Sequence, residues 1–203
     1  MKTFKIDQFY SGKAEHFITK FGGQPDWVTA PQWPVSLAWG NRPLKFIGQI
    51  CLNDFFEELE RLTLVYIFMT QPKDINDTFF DPDIIEPDSG ETAVIIQPEG
   101  HIPEYIKIEN LDIGPTVDDK NIWIPHITLH EETEAIDFGE IDIDKFCGIP
   151  AFCQNNIESI NGTLLLQLHT NWLPFYINAG ASPTMYVFLD DYRKNGFVLI
   201  EDL

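Results

Sequence analysis

The chain has 203 residues, 44% of them hydrophobic and 13% aromatic, with 32 Asp and Glu against 13 Lys and Arg, a formal net charge of −19. This length suits one domain or two small ones, and a chain of this size buries about 70% of its unfolded surface without needing a disulfide or metal staple. The composition excludes a disordered chain, no apolar run approaches the roughly 20 residues of a membrane helix, and the charge repels nucleic acid and anionic membrane.

Three cysteines (Cys51, Cys147, Cys153) and an N-terminus without a long apolar core indicate a cytoplasmic protein with reduced thiols. The acid load is uneven: residues 74–144 hold 20 Asp and Glu against Lys107 and Lys120, net −18, and the remainder is almost neutral.

Residues 1–19 read as a short strand followed by a helical turn near Ala14-Glu15-His16-Phe17. Gly22-Gly23 and Pro25 then mark a turn. Pro31, Trp33, Pro34 and Trp39 continue as an irregular aromatic segment, expected as a lid over a sheet edge. Leu44–Leu52 and Leu64–Thr70 read as buried strands. Between them Asn53 or Asp54 is placed to cap a short helix over Phe55–Leu62.

The acidic middle contains an apolar strand, Thr92–Gln97, and further strand candidates at Tyr105–Ile108 and Trp123–Leu129. The stretch Ile136–Asp144 ends in strict alternation. Ile141 and Ile143 share one face, with Glu140, Asp142 and Asp144 on the other. Thr163–Leu168 follows an Asn161-Gly162 turn, and Met185–Leu189 and Phe197–Ile200 form an antiparallel hairpin.

A pattern recurs across the chain. Lys20-Phe21-Gly22-Gly23-Gln24-Pro25-Asp26-Trp27 matches Lys145-Phe146-Cys147-Gly148-Ile149-Pro150-Ala151-Phe152 in its Lys, Phe, Gly, Pro and aromatic positions. Each opening precedes an apolar run holding one glutamine (Gln49, Gln167) and then a Tyr-x-Phe strand (Tyr66 to Phe68, Tyr186 to Phe188). The expected fold is mainly β or α+β, with internally duplicated antiparallel β-rich halves (about 20–73 and 145–203) joined by the acidic segment 74–144 and packed as one globular unit with few short helices. A buried amide needs a donor and an acceptor, so each glutamine is expected to bond the backbone of its own Gly-x-Pro turn.

These openings, with Phe46-Ile47-Gly48-Gln49-Ile50, Gly90–Pro98, Leu164–Leu168 and Tyr186-Val187-Phe188-Leu189, resemble the bacterial YwqG-like family, a domain of unknown function. The resemblance runs from about residue 20 to the C-terminus. It implies a β-rich, internally duplicated fold and kinship with the programmed-cell-death-2 group of ribosome-assembly factors. It also implies a protein- or peptide-binding role, as a chaperone or as an immunity protein against a toxin. It brings no catalytic residues. The chain departs from the family in having Gly180-Ala181-Ser182-Pro183 where a Gly-Asp-x-Gly turn is usual, and Ile200-Glu201-Asp202-Leu203 in place of a C-terminal Trp.

No nucleophile, phosphate-loop or dinucleotide motif is present. His126 and His130 lie four apart, about 13 Å on an extended strand, too far for one ion, so no metal or cofactor is expected. The first functional expectation is a non-enzymatic binding module that meets a basic protein or peptide through Glu131, Glu132, Glu134, Asp137, Glu140, Asp142 and Asp144. The alternative is a small-ligand binder or enzyme using an aromatic cleft between the halves, lined by Trp27, Trp33, Trp39 and Trp172.

Overall fold

In the computed structural model the described residues are 2–13, 16–38, 40–70, 72, 87–131, 143–152 and 160–202. Twelve strands are seen among them: β1 (Lys2–Ser11), β2 (Lys20–Gly22), β3 (Trp33–Ser36), β4 (Lys45–Cys51), β5 (Leu64–Met69), β6 (Thr92–Gln97), β7 (Ile106–Glu109), β8 (Ile122–Glu131), β9 (Lys145–Cys147), β10 (Thr163–His169), β11 (Pro183–Leu189) and β12 (Gly196–Asp202). Ten of them form one antiparallel sheet in the order β12-β11-β10-β9-β1-β8-β2-β4-β5-β6; β3 and β7 form a separate pair.

The apolar runs become strands because they are buried on both faces. Every residue of β5, β6 and β11 is buried. The sheet curls until its end strands meet. Val94 and Ile96 on β6 share a core with Val198 on β12, and a Cβ added to Gly196 would lie 2.6 Å from Val94 Cγ1. The result is a mostly β-stranded globular domain around a nearly closed ten-stranded sheet, with only short helical turns among the described residues. Among the described residues no helix is long and apolar enough to cross a membrane.

One extra residue in β4 decides which face each side chain takes. The register with β5 shifts between Phe46 and Gly48, so Phe46, Cys51, Tyr66 and Phe68 join the outer cluster around Trp33, while Ile47, Ile50, Val65, Ile67 and Met69 join the central core. β10 shifts likewise between Leu164 and Leu166. There Leu164, Tyr186 and Phe188 form a third cluster, and Leu165, Leu166 and Leu168 turn inward. The β3/β7 pair covers the outer face of β4–β6. Trp33 is fully buried there and donates from Nε1 to Leu44 O at 2.8 Å. The segment read as an irregular lid thus contributes a strand and a core residue.

The helix expected over Phe55–Leu62 is not formed. Leu52–Asp54 makes one 3-10 turn. Asn53 is drawn across the loop instead of capping: its Nδ2 donates to Leu59 O and Arg61 O, and its Oδ1 accepts from Thr63 N. Phe55 is taken by tertiary packing, edge-on to Phe4 and stacked on Phe146 at 4.7 Å.

Candidate functional site

The inner strands arrange chain segments that the sequence keeps apart. β1 pairs with β9 and β8 pairs with β2, and β1 and β8 pair with each other from Lys2/Glu131 to Ser11/Trp123. Each therefore lies beside the strand that follows the other. Aromatic side chains cross in the same way. Phe55, which follows β4, stacks on Phe146 of β9; Phe175, which follows β10, stacks on Phe21 of β2 at 5.6 Å.

A cavity of about 410 Å³ opens at this crossing. β2 meets β8 only at Phe21/Trp123 and Gly22/Ile122, while Lys20 pairs with Gln49 on β4. Ile18 and Thr19, the β8 residues Ile124, Pro125 and Ile127, and the stacked Phe55 and Phe146 line it. Tyr10, Gly12 and Lys13 complete the lining with Asp54, its one carboxylate.

Thr19 Oγ1 donates to Asp54 Oδ2 at 3.2 Å and accepts from Cys51 N at 3.0 Å, and the Cys51 thiol bonds the same carboxyl. Burial raises the Asp54 pKa, only partly opposed by the Thr19 and Cys51 hydrogen bonds. Burial, then the Asp54 charge, raises the Cys51 thiol. Chemically the cavity is a half-open, largely apolar slot that holds one desolvated acid, Asp54, and one lysine, Lys13.

Of the seven acids expected on a binding face, Glu131 is exposed at the end of β8. Asp144 instead holds the fold together. Its Oδ1 accepts from His169 N at 2.6 Å and its carbonyl accepts from Ile6 N at 2.8 Å. Glu132, Glu134, Asp137, Glu140 and Asp142 lie outside the described residues.

The tryptophans do not form a common lining. Trp33 has no exposed surface, so it cannot line an open cleft. Trp27 packs on it at 6.0 Å and on Tyr66 at 4.8 Å. Trp172 is 80% exposed on a 3-10 turn, and Trp39 lies outside the described residues. The aromatic groups that line the cavity are Tyr10, Phe55 and Phe146; only their chain positions were legible, since the crossing that gathers them is long-range.

His126 bonds Asp7 at 3.3 Å, and Thr128 donates to the same carboxylate. Among the described residues no group of three or more His, Cys, Asp and Glu is placed to hold a metal ion.

Both glutamines clasp the turn that precedes their strand. Gln49 Oε1 accepts from Asp26 N at 2.8 Å and its Nε2 donates to Ile18 O at 2.9 Å. Gln167 Oε1 accepts from Ala151 N at 2.9 Å and its Nε2 donates to Ile143 O at 3.1 Å. Tyr66 OH donates to Asp26 O at 2.8 Å, and Tyr186 OH donates to Ala151 O at 2.7 Å. In both places the amide sits just past the proline, so the strand core is tied to the turn backbone.

Compared with known proteins, the chain matches no family model and no curated protein.

Proposed function

We propose that this chain is a non-enzymatic protein- or peptide-binding module that accepts a basic, partly apolar segment of its partner, in a chaperone-like or toxin-immunity-like role. The observation that carries this reading is the half-open apolar cavity with Asp54 at its wall. Apolar walls take the methylene stem of a lysine or arginine, and a carboxylate there meets its charge. The net charge of −19 adds long-range attraction for the same class of partner.

We further propose that the chain is an internal duplication with YwqG-like ancestry. The matching glutamine and tyrosine clasps, the matching register shifts in β4 and β10 and the reciprocal phenylalanine stacks support that reading. Cys51 and Cys147 are buried free thiols, and the cytoplasm is the compartment this reading assigns.

The test is titration of the protein with a fluorescent peptide alternating lysine and leucine, followed by anisotropy at low and high salt. Binding should weaken steeply with salt, and Asp54→Asn should weaken it about tenfold, equivalent to about 1.4 kcal/mol. No binding at low salt would reject the reading. A second reading, as a small-ligand binder, draws on another hollow of about 530 Å³ lined by Pro87, Pro103, Tyr105 and Phe197. A small molecule that raises the melting temperature, with the shift abolished by Phe197→Ala, would favour it.

A further inference from the structure

β8 lies in the middle of the sheet order, yet among the described residues most of one edge is unpaired. β1 pairs along it from Trp123 to Glu131, but on the other side β2 reaches only Ile122 and Trp123. Among the described residues no strand lies against that second edge from Ile124 onward. The side chains from His126 to Glu131 are all exposed, with Ile127 at 37% and Leu129 at 55%. Such an edge is a template for another strand. Pro125 offers no N–H, and proline within sheets is confined to edges and bulges; backbone groups alternate sides along β8, with Ile122 O facing β1, so donors for an added strand begin at Ile127 and recur at Leu129 and Glu131. The cavity opens alongside, because Ile124, Pro125 and Ile127 are among its lining residues.

We propose that an extended basic and apolar segment of a partner protein adds as a strand to β8 along His126–Glu131 and places one lysine or arginine stem in the adjoining cavity. This rests on the peptide-binding reading and gives it a mode: main-chain hydrogen bonds supply affinity, and the pocket beside the edge selects the side chain. Charge chooses the occupant. A second copy would bring another −19 to a strand that ends at Glu131 and runs into Glu132 and Glu134 in sequence; a lysine-bearing segment meets opposite charge. Alternation along the added strand sends every second side chain to the pocket side, where a lysine stem reaches toward Asp54.

The test uses the full chain, the fluorescent lysine–leucine peptide and the same peptide with glutamate for lysine. Anisotropy gives affinity, amide hydrogen exchange read by NMR gives location, and sedimentation gives oligomeric state. The lysine peptide should bind and slow exchange at Ile127, Leu129 and Glu131, whose amides face the second edge, and the glutamate peptide should bind at least about tenfold more weakly. Leu129→Lys, at an exposed position, should weaken binding about tenfold with the melting temperature unchanged. Binding with protection elsewhere and none on β8 would overturn strand addition while leaving the peptide-binding reading intact. Failure of every peptide to bind at low salt would overturn both. A dimer protected along β8 would assign the edge to a second copy. A free monomer with the Ile127, Leu129 and Glu131 amides already protected would assign it to the chain itself. Either result overturns the proposal.

Discussion

The two ends of the large sheet solve one problem with different chemistry. In β2–β4–β5 the turn ahead of the glutamine strand presents Asp26; in β9–β10–β11 the position six residues after the lysine is Ala151. Lys20 is 4% exposed and bonds Asp26 at 2.7 Å, whereas Lys145, with no exposed surface, donates to Ile149 O at 2.7 Å. The clasp of glutamine and tyrosine is otherwise shared. At the first end the aspartate gathers Lys20 into a charged network. Asp26 also accepts from Gln49, His16 and the Phe17 amide.

The largest effect expected from breaking this comparison is at Asp26. Asp26→Ala leaves the buried Lys20 without its counter-charge, and the loss should be about 3 kcal/mol, read as a lower urea midpoint. The same site makes this end acid-sensitive. Burial pushes the Asp26 pKa up, but the Lys20 hydrogen bond and charge, with the His16 and Phe17 bonds, outweigh it and leave the pKa below its ordinary 3.8. A lowered carboxylate pKa contributes stability above the unfolded-state value and loses it as pH falls through the folded one. Acid unfolding should thus deepen below about pH 3.8 in the parent chain, and less so in Asp26→Asn. Equal acid limbs for the two proteins would remove the electrostatic difference between the ends.

The glutamines should behave alike. Gln49→Ala and Gln167→Ala each leave a backbone donor and acceptor unpaired, which costs about 1–3 kcal/mol. Thermal melts should fall for both. A fall for one alone would show that the two clasps carry different loads.

The smallest effect is expected at the turns. Gly22 and Cys147 both have positive φ, 69° and 59°. Glycine takes that conformation without penalty, whereas cysteine is strained there. Cys147→Gly should change stability by no more than about 1 kcal/mol, because relief of strain offsets the lost burial of the thiol. Gly22→Ala should destabilise, since its Cβ would meet Asn121 O at 2.8 Å. Denaturant midpoints for the two variants would separate these directions.

Several features are legible in the sequence because their cause is local. Apolar runs bounded by turn residues mark β4, β5, β6, β10 and β11, and a glutamine inside each of two such runs has to find partners nearby. The apolar spacing at Phe55–Leu62 fits a helix, but Phe55 gains more by stacking on Phe146 than a short isolated helix gains from its own hydrogen bonds. Trp33 reads as a lid residue for a similar reason: nothing in its neighbours shows that β7 pairs with β3 and closes over it.

By itself, then, the sequence determined the strand-rich class, the turn chemistry, the glutamine clasps and the uneven charge, all set by neighbouring residues and by periodicity. The tertiary structure alone decided that β1 and β8 lie beside each other's following strands, that Phe55 and Phe175 cross to the opposite end, and that a cavity with Asp54 opens beside an edge unpaired among the described residues. Those outcomes depend on which distant strands pair. That choice follows from burial summed over the whole sheet and leaves no short-range mark in the chain.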